Sequence, residues 1–277
     1  MPEGDTLART AAGLRPYLNG RIVHAARAQG PGAVPQVQRL IGQRIEGVDA
    51  QGKNLLIRFD GGLELRTHLR MHGSWHRYRP GERWRRPPAR ARLVLEVDGS
   101  VAVCFDAPVV ELFEQRTEAL HPSLSRLGPD LAKPAFDADE AFTRLRHPDR
   151  ADTEIAVALL DQRALAGIGN VYKNEILWID QVSPFALVRD LDDATVRRLI
   201  ATARRLMLEN LEDHGLRRGP ERVTTSGDRG APGPVYVYGR GGRPCRRCGT
   251  RIASREQGSD LPRLTYWCPT CQEGGPS

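Results

Sequence analysis

The chain has 277 residues, of which 40% are hydrophobic and 27% charged, so it can bury one large core or two ordinary ones and is not intrinsically disordered. It contains no run of about 18 apolar residues, and its first residues lack the apolar segment of a secretory signal, so we expect neither a membrane span nor secretion. The formal net charge of +7 makes a polyanion the expected class of partner.

The first part of the chain is predicted to form one helix and then a β-rich region. Apolar residues recur at helical spacing from Leu7 to Leu18, which predicts a helix over Gly4–Asn19 with Asp5 as its N-cap. The eight predicted strands are Arg21–Ala28, Arg44–Ala50, Asn54–Phe59, Leu63–His68, Gly73–Tyr78, Ala91–Glu96, Val101–Phe105 and Val109–Phe113. This number of strands in about 95 residues is typical of a β-sandwich or barrel.

After a predicted boundary at His121–Pro134, the sequence becomes helical. The predicted elements are helices from Asp152 to Leu160, from Asn170 to Asp180 and from Asp192 onward, and a short strand around Val235–Tyr238. A tight turn, Gly167-Ile168-Gly169, separates the first two of these helices. It exposes backbone N–H groups at a helix N-terminus, which indicates either a phosphate seat or a simple corner between two helices.

Four of the five cysteines form two CxxC pairs, Cys245 with Cys248 and Cys268 with Cys271, separated by 19 residues. This is the spacing of a four-thiolate site in which two turns face each other across a β-hairpin. Because four protein ligands leave no open position, the pattern predicts one structural Zn²⁺ ion.

Basic residues are numerous and clustered. Lys and Arg number 41, and only Lys53, Lys133 and Lys173 are lysines. A lysine that occurs against this bias is a candidate for chemistry that arginine cannot perform, because arginine does not lose its proton. Nine arginines between Arg66 and Arg92 face a single acid, which predicts a phosphate-binding groove, although a general bias toward arginine is the alternative explanation.

The N-terminal residues carry a possible nucleophile. Removal of Met1 would expose the secondary amine of Pro2, followed directly by the Glu3 carboxylate. An α-amino group has a pKa of about 8, so more of it is neutral and nucleophilic near pH 7 than of a lysine. Its attack on a sugar C1′ atom gives an iminium ion that acidifies the C2′ proton.

Five motifs together resemble the formamidopyrimidine-DNA glycosylase/endonuclease VIII family. They are MPEGD at the start, QGKNLLI around Lys53, HLRMHGSW at His68–Trp75, LLDQRALAGIGNVYKNE at Leu159–Glu175 and RLTYWCPTC at Arg263–Cys271. The resemblance implies a bifunctional DNA glycosylase and AP lyase with DNA bound in a cleft between two halves. It also implies an α+β fold, namely an N-terminal helix plus an eight-stranded antiparallel β-sandwich, then a helix–two-turn–helix domain with a four-cysteine zinc-finger β-hairpin. The predicted divisions are 1–120 for the catalytic sandwich, 121–134 for a linker, 135–240 for the helical domain and 241–274 for the finger.

The resemblance also implies roles for single residues. Pro2 would be the Schiff-base nucleophile and Glu3 the acid/base, while Lys53 would donate a proton in β-elimination and Arg263 would grip phosphates and act in δ-elimination. Asn170 and Arg126 would contact DNA, with an interdomain salt bridge as the alternative for Arg126. Arg70 and Met71 lie where the family places the loop that fills the gap left by a flipped nucleotide.

Within the family, PEGD, the CFDAPVVELFE stretch and a short Thr224–Tyr238 segment favour the endonuclease VIII branch, which excises oxidised pyrimidines. Met71 is more typical of the formamidopyrimidine/8-oxoguanine branch, which stays the alternative. A non-catalytic zinc-ribbon DNA-binding protein would explain the cysteines and the charge, but not Pro2-Glu3 together with Lys53.

We expect a monomeric bacterial cytoplasmic enzyme, associated with the nucleoid through DNA. Its expected partner is double-stranded DNA with damaged bases or abasic sites, and no small-molecule cofactor is expected.

Overall fold

The computed structural model describes residues 2–30, 35–212, 235–259 and 262–274. They form two compact units. The first unit contains Pro2 and Thr6–Ser125, and the second contains Glu3–Asp5 and the described residues from Arg126 onward. The predicted limits of the linker and of the finger stay predictions.

The first unit is a helix packed on two antiparallel sheets. Helix α1 spans Gly4–Leu18, so Asp5 lies in its first turn and its prediction as the N-cap was wrong. The strands are β1 (Val23–Ala28), β2 (Ile45–Gln51), β3 (Asn54–Phe59), β4 (Leu63–His68), β5 (Ser74–Tyr78), β6 (Ala91–Val97), β7 (Ser100–Phe105) and β8 (Val109–Glu114). They form two four-stranded sheets of order β1-β6-β7-β5 and β2-β3-β4-β8. The predicted helix and eight-stranded sandwich are confirmed.

One apolar core joins α1 to both sheets of this unit. Leu7 and Leu14 of α1, Ile57 of β3 and Leu95 of β6 belong to it, and each is fully or almost fully buried. Because strand residues alternate between faces, the core takes every second side chain of these strands. A smaller apolar cluster lies on the other face of β5, β6 and β7, where Trp84 packs against it.

The second unit is helical and ends in a hairpin. Its elements are α2 (Ala138–Leu145), α3 (Ile155–Ala158), α4 (Asn170–Ile179), α5 (Asp193–Glu212), β9 (Ala253–Gln257) and β10 (Arg263–Trp267). The side chains of Asp137 and Asp192 cap α2 and α5 by accepting backbone N–H groups. No helix in the described part of the chain combines the length and apolar character that crossing a membrane requires.

Two predictions for the second unit were wrong. Helix α3 is shorter than predicted because Glu154 forms an antiparallel β-bridge with Leu187, which holds the chain before α3 extended. Val235–Tyr238 is not a strand, since the backbone N–H groups of Tyr236, Val237 and Tyr238 all donate to the carboxylate of Glu175, at 2.7–2.9 Å. Glu175 therefore braces the approach to the finger.

Candidate active site and metal centre

The Glu3 carboxylate occupies the N-terminus of α4. Its Oε2 accepts the N–H groups of Gly169 at 2.8 Å and Tyr172 at 3.3 Å, and its Oε1 accepts that of Val171 at 2.8 Å. Glu3 is fully buried, so these charge-assisted bonds and the helix dipole stabilise the ionised carboxylate. Three N–H groups at the predicted turn are thus taken by Glu3, which favours the corner between two helices over the phosphate seat as the interpretation of this turn.

Three glycines make this contact possible. The Gly4 N–H donates to the Gly167 carbonyl at 2.9 Å, and a Cβ on Gly4 would lie 2.8 Å from the Gly167 Cα. Gly167 has a φ of +107°, which favours glycine, and a Cβ on Gly169 would lie 2.4 Å from the Glu3 Cδ. The MPEGD and AGIGN motifs, which the sequence presents as separate signals, are therefore two sides of one contact.

We expect Gly169→Ala to displace the Glu3 carboxylate and destabilise the protein by about 2–4 kcal/mol, because it strains two or three buried charge-assisted hydrogen bonds. The thermal unfolding midpoint measures the effect. Gly13→Ala is the matched control, because its Cβ would meet no atom within 4 Å and alanine favours the α1 helix. Equal midpoints for the two variants would contradict the tight contact.

Helix α4 presents a row of buried polar side chains to β10. The Asn170 Nδ2 donates to the Leu264 carbonyl at 2.9 Å, the Lys173 Nζ donates to the Thr265 Oγ1 at 2.7 Å, and the Tyr266 N–H donates to the Asn174 Oδ1 at 2.8 Å. These three contacts hold successive residues of the strand that begins at Arg263. The described structure thus uses Asn170 to fasten the hairpin.

Lys173 is the most unusual charge of this unit. Burial lowers its pKa to about 7, against the raising effect of Glu3 and with a further lowering by Arg263. Lys173 is almost fully buried, and its partner Thr265 donates in turn to Gln257 on β9 at 2.8 Å. Glu3, Lys173 and Arg263 therefore form one electrostatically coupled group, which sequence reasoning missed although Lys173 is one of only three lysines.

In the first unit, Pro2 and Met71 line one cavity of about 340 Å³. Met71 is 50% exposed and lies in the loop between β4 and β5. The neighbouring Arg70 has a φ of +46°, and a Cβ on Gly73 would lie 2.6 Å from the Leu69 carbonyl oxygen. Arg70 thus occupies a left-handed conformation that non-glycine residues rarely adopt, a kind of strain that concentrates at functional sites.

The first unit also contains a cationic group, formed by Lys53, Arg66 and Arg70 around His68. Lys53 lies in the two-residue turn between β2 and β3, where Asn54 pairs with His68 of β4. Burial lowers the pKa of His68 to about 4, with further lowering by Arg66, Lys53 and Arg70. The imidazole is therefore neutral at pH 7. Glu111 pairs with Arg66, and Lys53 and Arg70 supply further positive charge, which suits a phosphate.

The four cysteines predicted to bind zinc converge, and their Sγ atoms all lie within 4.8 Å of one another. Cys245 Sγ is 4.0 Å from Cys271 Sγ, and Cys248 Sγ is 3.4 Å from Cys268 Sγ. Tetrahedral Zn–S bonds of about 2.3 Å require S···S distances of about 3.8 Å, so the donor set fits one ion with no open position. The Trp178 Nε1–H donates to Cys245 Sγ at 3.4 Å, which stabilises a thiolate there.

Two further predicted positions are less informative. Arg126 is exposed and is the first residue of the second unit after Ser125. The segment predicted to be short is Thr224–Tyr238, and its residues 224–234 lie outside the described residues.

Three family models match the chain. The formamidopyrimidine-DNA glycosylase N-terminal domain matches residues 1–108, and the formamidopyrimidine-DNA glycosylase H2TH domain matches residues 127–218. The zinc finger found in FPG and IleRS matches residues 242–274, which include all four clustered cysteines.

Full-length relatives extend these matches. The chain is 40% identical to the probable endonuclease 8 2 of Streptomyces coelicolor, over 99% of this chain and 95% of that protein. It is 38% identical to the DNA-(apurinic or apyrimidinic site) lyase Nei2 of Mycolicibacterium smegmatis, over 98% and 99% of the two chains. Among solved structures, the Fpg (MutM) protein of Lactococcus lactis, bound to DNA containing an oxidised pyrimidine, matches with a TM-score of 0.81. That match covers 98% of this chain and 100% of that one at 22% identity, which shows a shared fold.

Proposed function

The chain belongs to the formamidopyrimidine-DNA glycosylase/endonuclease VIII family, and we propose that it is a bifunctional DNA glycosylase and AP lyase that excises oxidised pyrimidines and then cuts the strand by β,δ-elimination. The observation that carries the proposal is Pro2 at a cavity, followed directly by a buried Glu3 carboxylate that accepts three backbone N–H groups. The proposed partner is double-stranded DNA that contains a damaged base or an abasic site.

The proposed reaction begins with the nitrogen of Pro2. After removal of Met1, this secondary amine attacks C1′ of the damaged nucleotide, and the base leaves with the electron pair of the glycosidic bond. The departing base takes up a proton from water. We propose that Glu3, as the acid/base, accepts the proton that the Pro2 nitrogen loses and returns it to O4′, so that the sugar ring opens to an iminium ion whose positive charge the carboxylate stabilises. Loss of the C2′ proton then expels the 3′-phosphate, and a second elimination expels the 5′-phosphate.

Other residues are proposed to bind DNA and to assist elimination. Lys53 lies in the cationic group of the first unit, where we propose that it donates a proton during β-elimination. Arg263 begins β10, where the contacts from α4 fix its backbone, and we propose that it grips the phosphates beside the lesion and acts in δ-elimination. We propose that Asn170 contacts a DNA phosphate and that Arg126 also contacts the DNA. Arg70 and Met71 are proposed to belong to the loop that fills the gap left by the flipped nucleotide, with Met71 in the vacated stack.

We propose that the four cysteines hold one structural Zn²⁺. The fit of the Sγ positions to a tetrahedral site supports this assignment, as does the match to a zinc-finger family model. Zinc with four protein ligands would stabilise the hairpin and supply no reactive position. Its proposed contribution to function is to present Arg263.

The preference for pyrimidines rests on stacking energy. A glycosylase must take the base out of the stack, and extrusion costs less when stacking is already weak. Saturated pyrimidines such as thymine glycol and dihydrouracil are non-planar, whereas 8-oxoguanine is planar and stacks well. The endonuclease 8 name of the Streptomyces coelicolor relative supports this preference. Met71 favours the formamidopyrimidine/8-oxoguanine alternative, and the descriptions of two family models name formamidopyrimidine-DNA glycosylase.

Two assays test the proposal. We expect the protein to cut a duplex at a single abasic site, whereas a non-catalytic zinc-ribbon protein would bind this duplex and leave it intact. In single-turnover excision on matched duplexes, we expect thymine glycol and dihydrouracil to be removed faster than 8-oxoguanine paired with cytosine. Faster removal of 8-oxoguanine than of both pyrimidines would assign the protein to the other branch.

A further inference from the structure

Strand β5 carries a hydrogen-bonded series of side chains that the reaction described above does not use. Ser74, His76 and Tyr78 are spaced two residues apart and therefore lie on one face of the strand. The Ser74 Oγ lies 3.1 Å from the His76 Nε2, and the His76 Nδ1 lies 2.9 Å from the Tyr78 Oη. The backbone N–H of Arg85 donates to the Tyr78 Oη at 3.1 Å.

The direction of the hydrogen bonds along this series follows from its last contact, in which the backbone N–H of Arg85 donates to the Tyr78 Oη. A backbone N–H is always a donor, so Tyr78 accepts there and must place its own proton elsewhere. The Tyr78 side chain is fully buried, and its other partner is the His76 Nδ1, so the tyrosine donates to that nitrogen. The His76 proton is then on Nε2 and donates to Ser74, whose own hydroxyl proton stays available for a further acceptor.

The surroundings keep this direction fixed. Burial lowers the pKa of His76, and Arg86 and Arg85 lower it further, so the imidazole is neutral at pH 7. If His76 were protonated on both nitrogens, its Nδ1–H would face the hydroxyl proton of Tyr78, so that two donors would oppose each other. The rings are also immobilised, because Trp84 stacks on Tyr78 with centroids 6.0 Å apart and Phe105 meets His76 edge-on at 5.1 Å.

Ser74 and His76 line the same cavity as Pro2. Two arginines also line it, but both are paired with Asp106, Arg86 at 2.6 Å and Arg90 at 2.8 Å. Because one carboxylate holds both guanidinium groups, these three side chains keep a net charge of +1, and neither arginine is left without a partner. The Ser74 hydroxyl adds a neutral, oriented hydrogen-bond donor to this cavity, which suits a carbonyl oxygen.

We propose that the Ser74 hydroxyl donates a hydrogen bond to a carbonyl oxygen of the damaged pyrimidine in the Pro2 cavity, and that His76 and Tyr78 are positioning residues that orient this donor. The inference rests on the proposed function and names a residue that recognises the base. Such a contact exists only while the base is present, so it assists excision and not the later cleavage of an abasic site.

The test compares two reactions of the full-length protein, single-turnover excision of dihydrouracil and cleavage at a preformed abasic site. We expect Ser74→Ala to slow excision about tenfold, the effect of one lost hydrogen bond, while cleavage of the abasic site stays within about twofold of the wild type. Ser74→Thr keeps the hydroxyl and is expected to retain excision. Tyr78→Phe is expected to slow excision as Ser74→Ala does, and the double variant to be no slower than either single one, because the residues act as a unit.

Tyr17→Phe, a change to an exposed tyrosine of α1, is the matched control and is expected to leave both rates unaltered. Equal slowing of both reactions by Ser74→Ala, or no slowing of excision, would overturn the role of Ser74. A wild-type protein that fails to cut the abasic site would instead refute the proposed function itself, so the two failures are distinguishable. Thermal unfolding midpoints identify any variant that is merely destabilised. Ser74→Thr keeps the hydroxyl at this position and therefore tests whether the hydroxyl itself is required.

Discussion

Retention of an N-terminal extension ahead of Pro2 is expected to abolish strand cleavage at abasic sites. The nitrogen of Pro2 is then an amide, whose lone pair is delocalised, and it cannot form the iminium ion. The same protein with the extension placed at its C-terminus is the control and is expected to cut normally. Pro2→Gly, which supplies a primary amine at the same position, is expected to retain part of the activity.

Sodium borohydride gives a direct measurement of the nucleophile. Added during turnover, it should reduce the iminium ion and leave protein joined covalently to DNA through Pro2. Peptide mapping locates the crosslink. A crosslink on Lys53, or full cleavage by the extended protein, would show that the α-amino group is not the nucleophile.

The sequence predicted the β-sandwich closely because its signals are local. Strands β3 and β4 have the predicted limits, since the Asp-Gly-Gly turn between them and the surrounding alternation of apolar residues depend on neighbours in the chain. The cysteine spacing likewise predicted a cluster, which the structure confirms. Predictions failed where distant residues decide the structure, as at Glu154, which pairs with Leu187, and at Tyr236–Tyr238, which bind Glu175 instead of a strand.

The candidate site shows the same limit more clearly. The motifs around Glu3 and Gly169 could each be recognised, but nothing local indicates that a carboxylate 166 positions away occupies the helix N-terminus. Sequence reasoning offered a phosphate seat as one of two interpretations of this turn, because a helix N-terminus attracts any anion. The burial of Lys173 against Thr265 was equally hidden, since one lysine in a helix is usually solvated, and only tertiary packing lowers its pKa to about 7.

Cys268→Ser is expected to release the metal and unfold the β9–β10 hairpin. A structural zinc ion contributes on the order of 10 kcal/mol to the folding of a finger, and the hairpin has few apolar residues to replace it. Loss of β10 would also leave Asn170, Lys173 and Asn174 of α4 without their partners, at a cost of about 1–3 kcal/mol for each buried polar group. The disturbance should therefore reach α4, the helix whose N-terminus holds Glu3.

Metal content and amide hydrogen exchange together measure this outcome. Wild-type protein is expected to contain one zinc per chain and to protect the amides of β9, β10 and α4, whereas Cys268→Ser should lose the metal and the protection of all three. Cys104→Ala is the matched control, because Cys104 is a buried cysteine of the first unit and belongs to its apolar core. This control should keep its zinc and its protected hairpin. Full metal content in Cys268→Ser would contradict zinc binding as the reason that the hairpin folds. If the amides of α4 stayed protected while those of β10 exchanged, the helix would not depend on the finger.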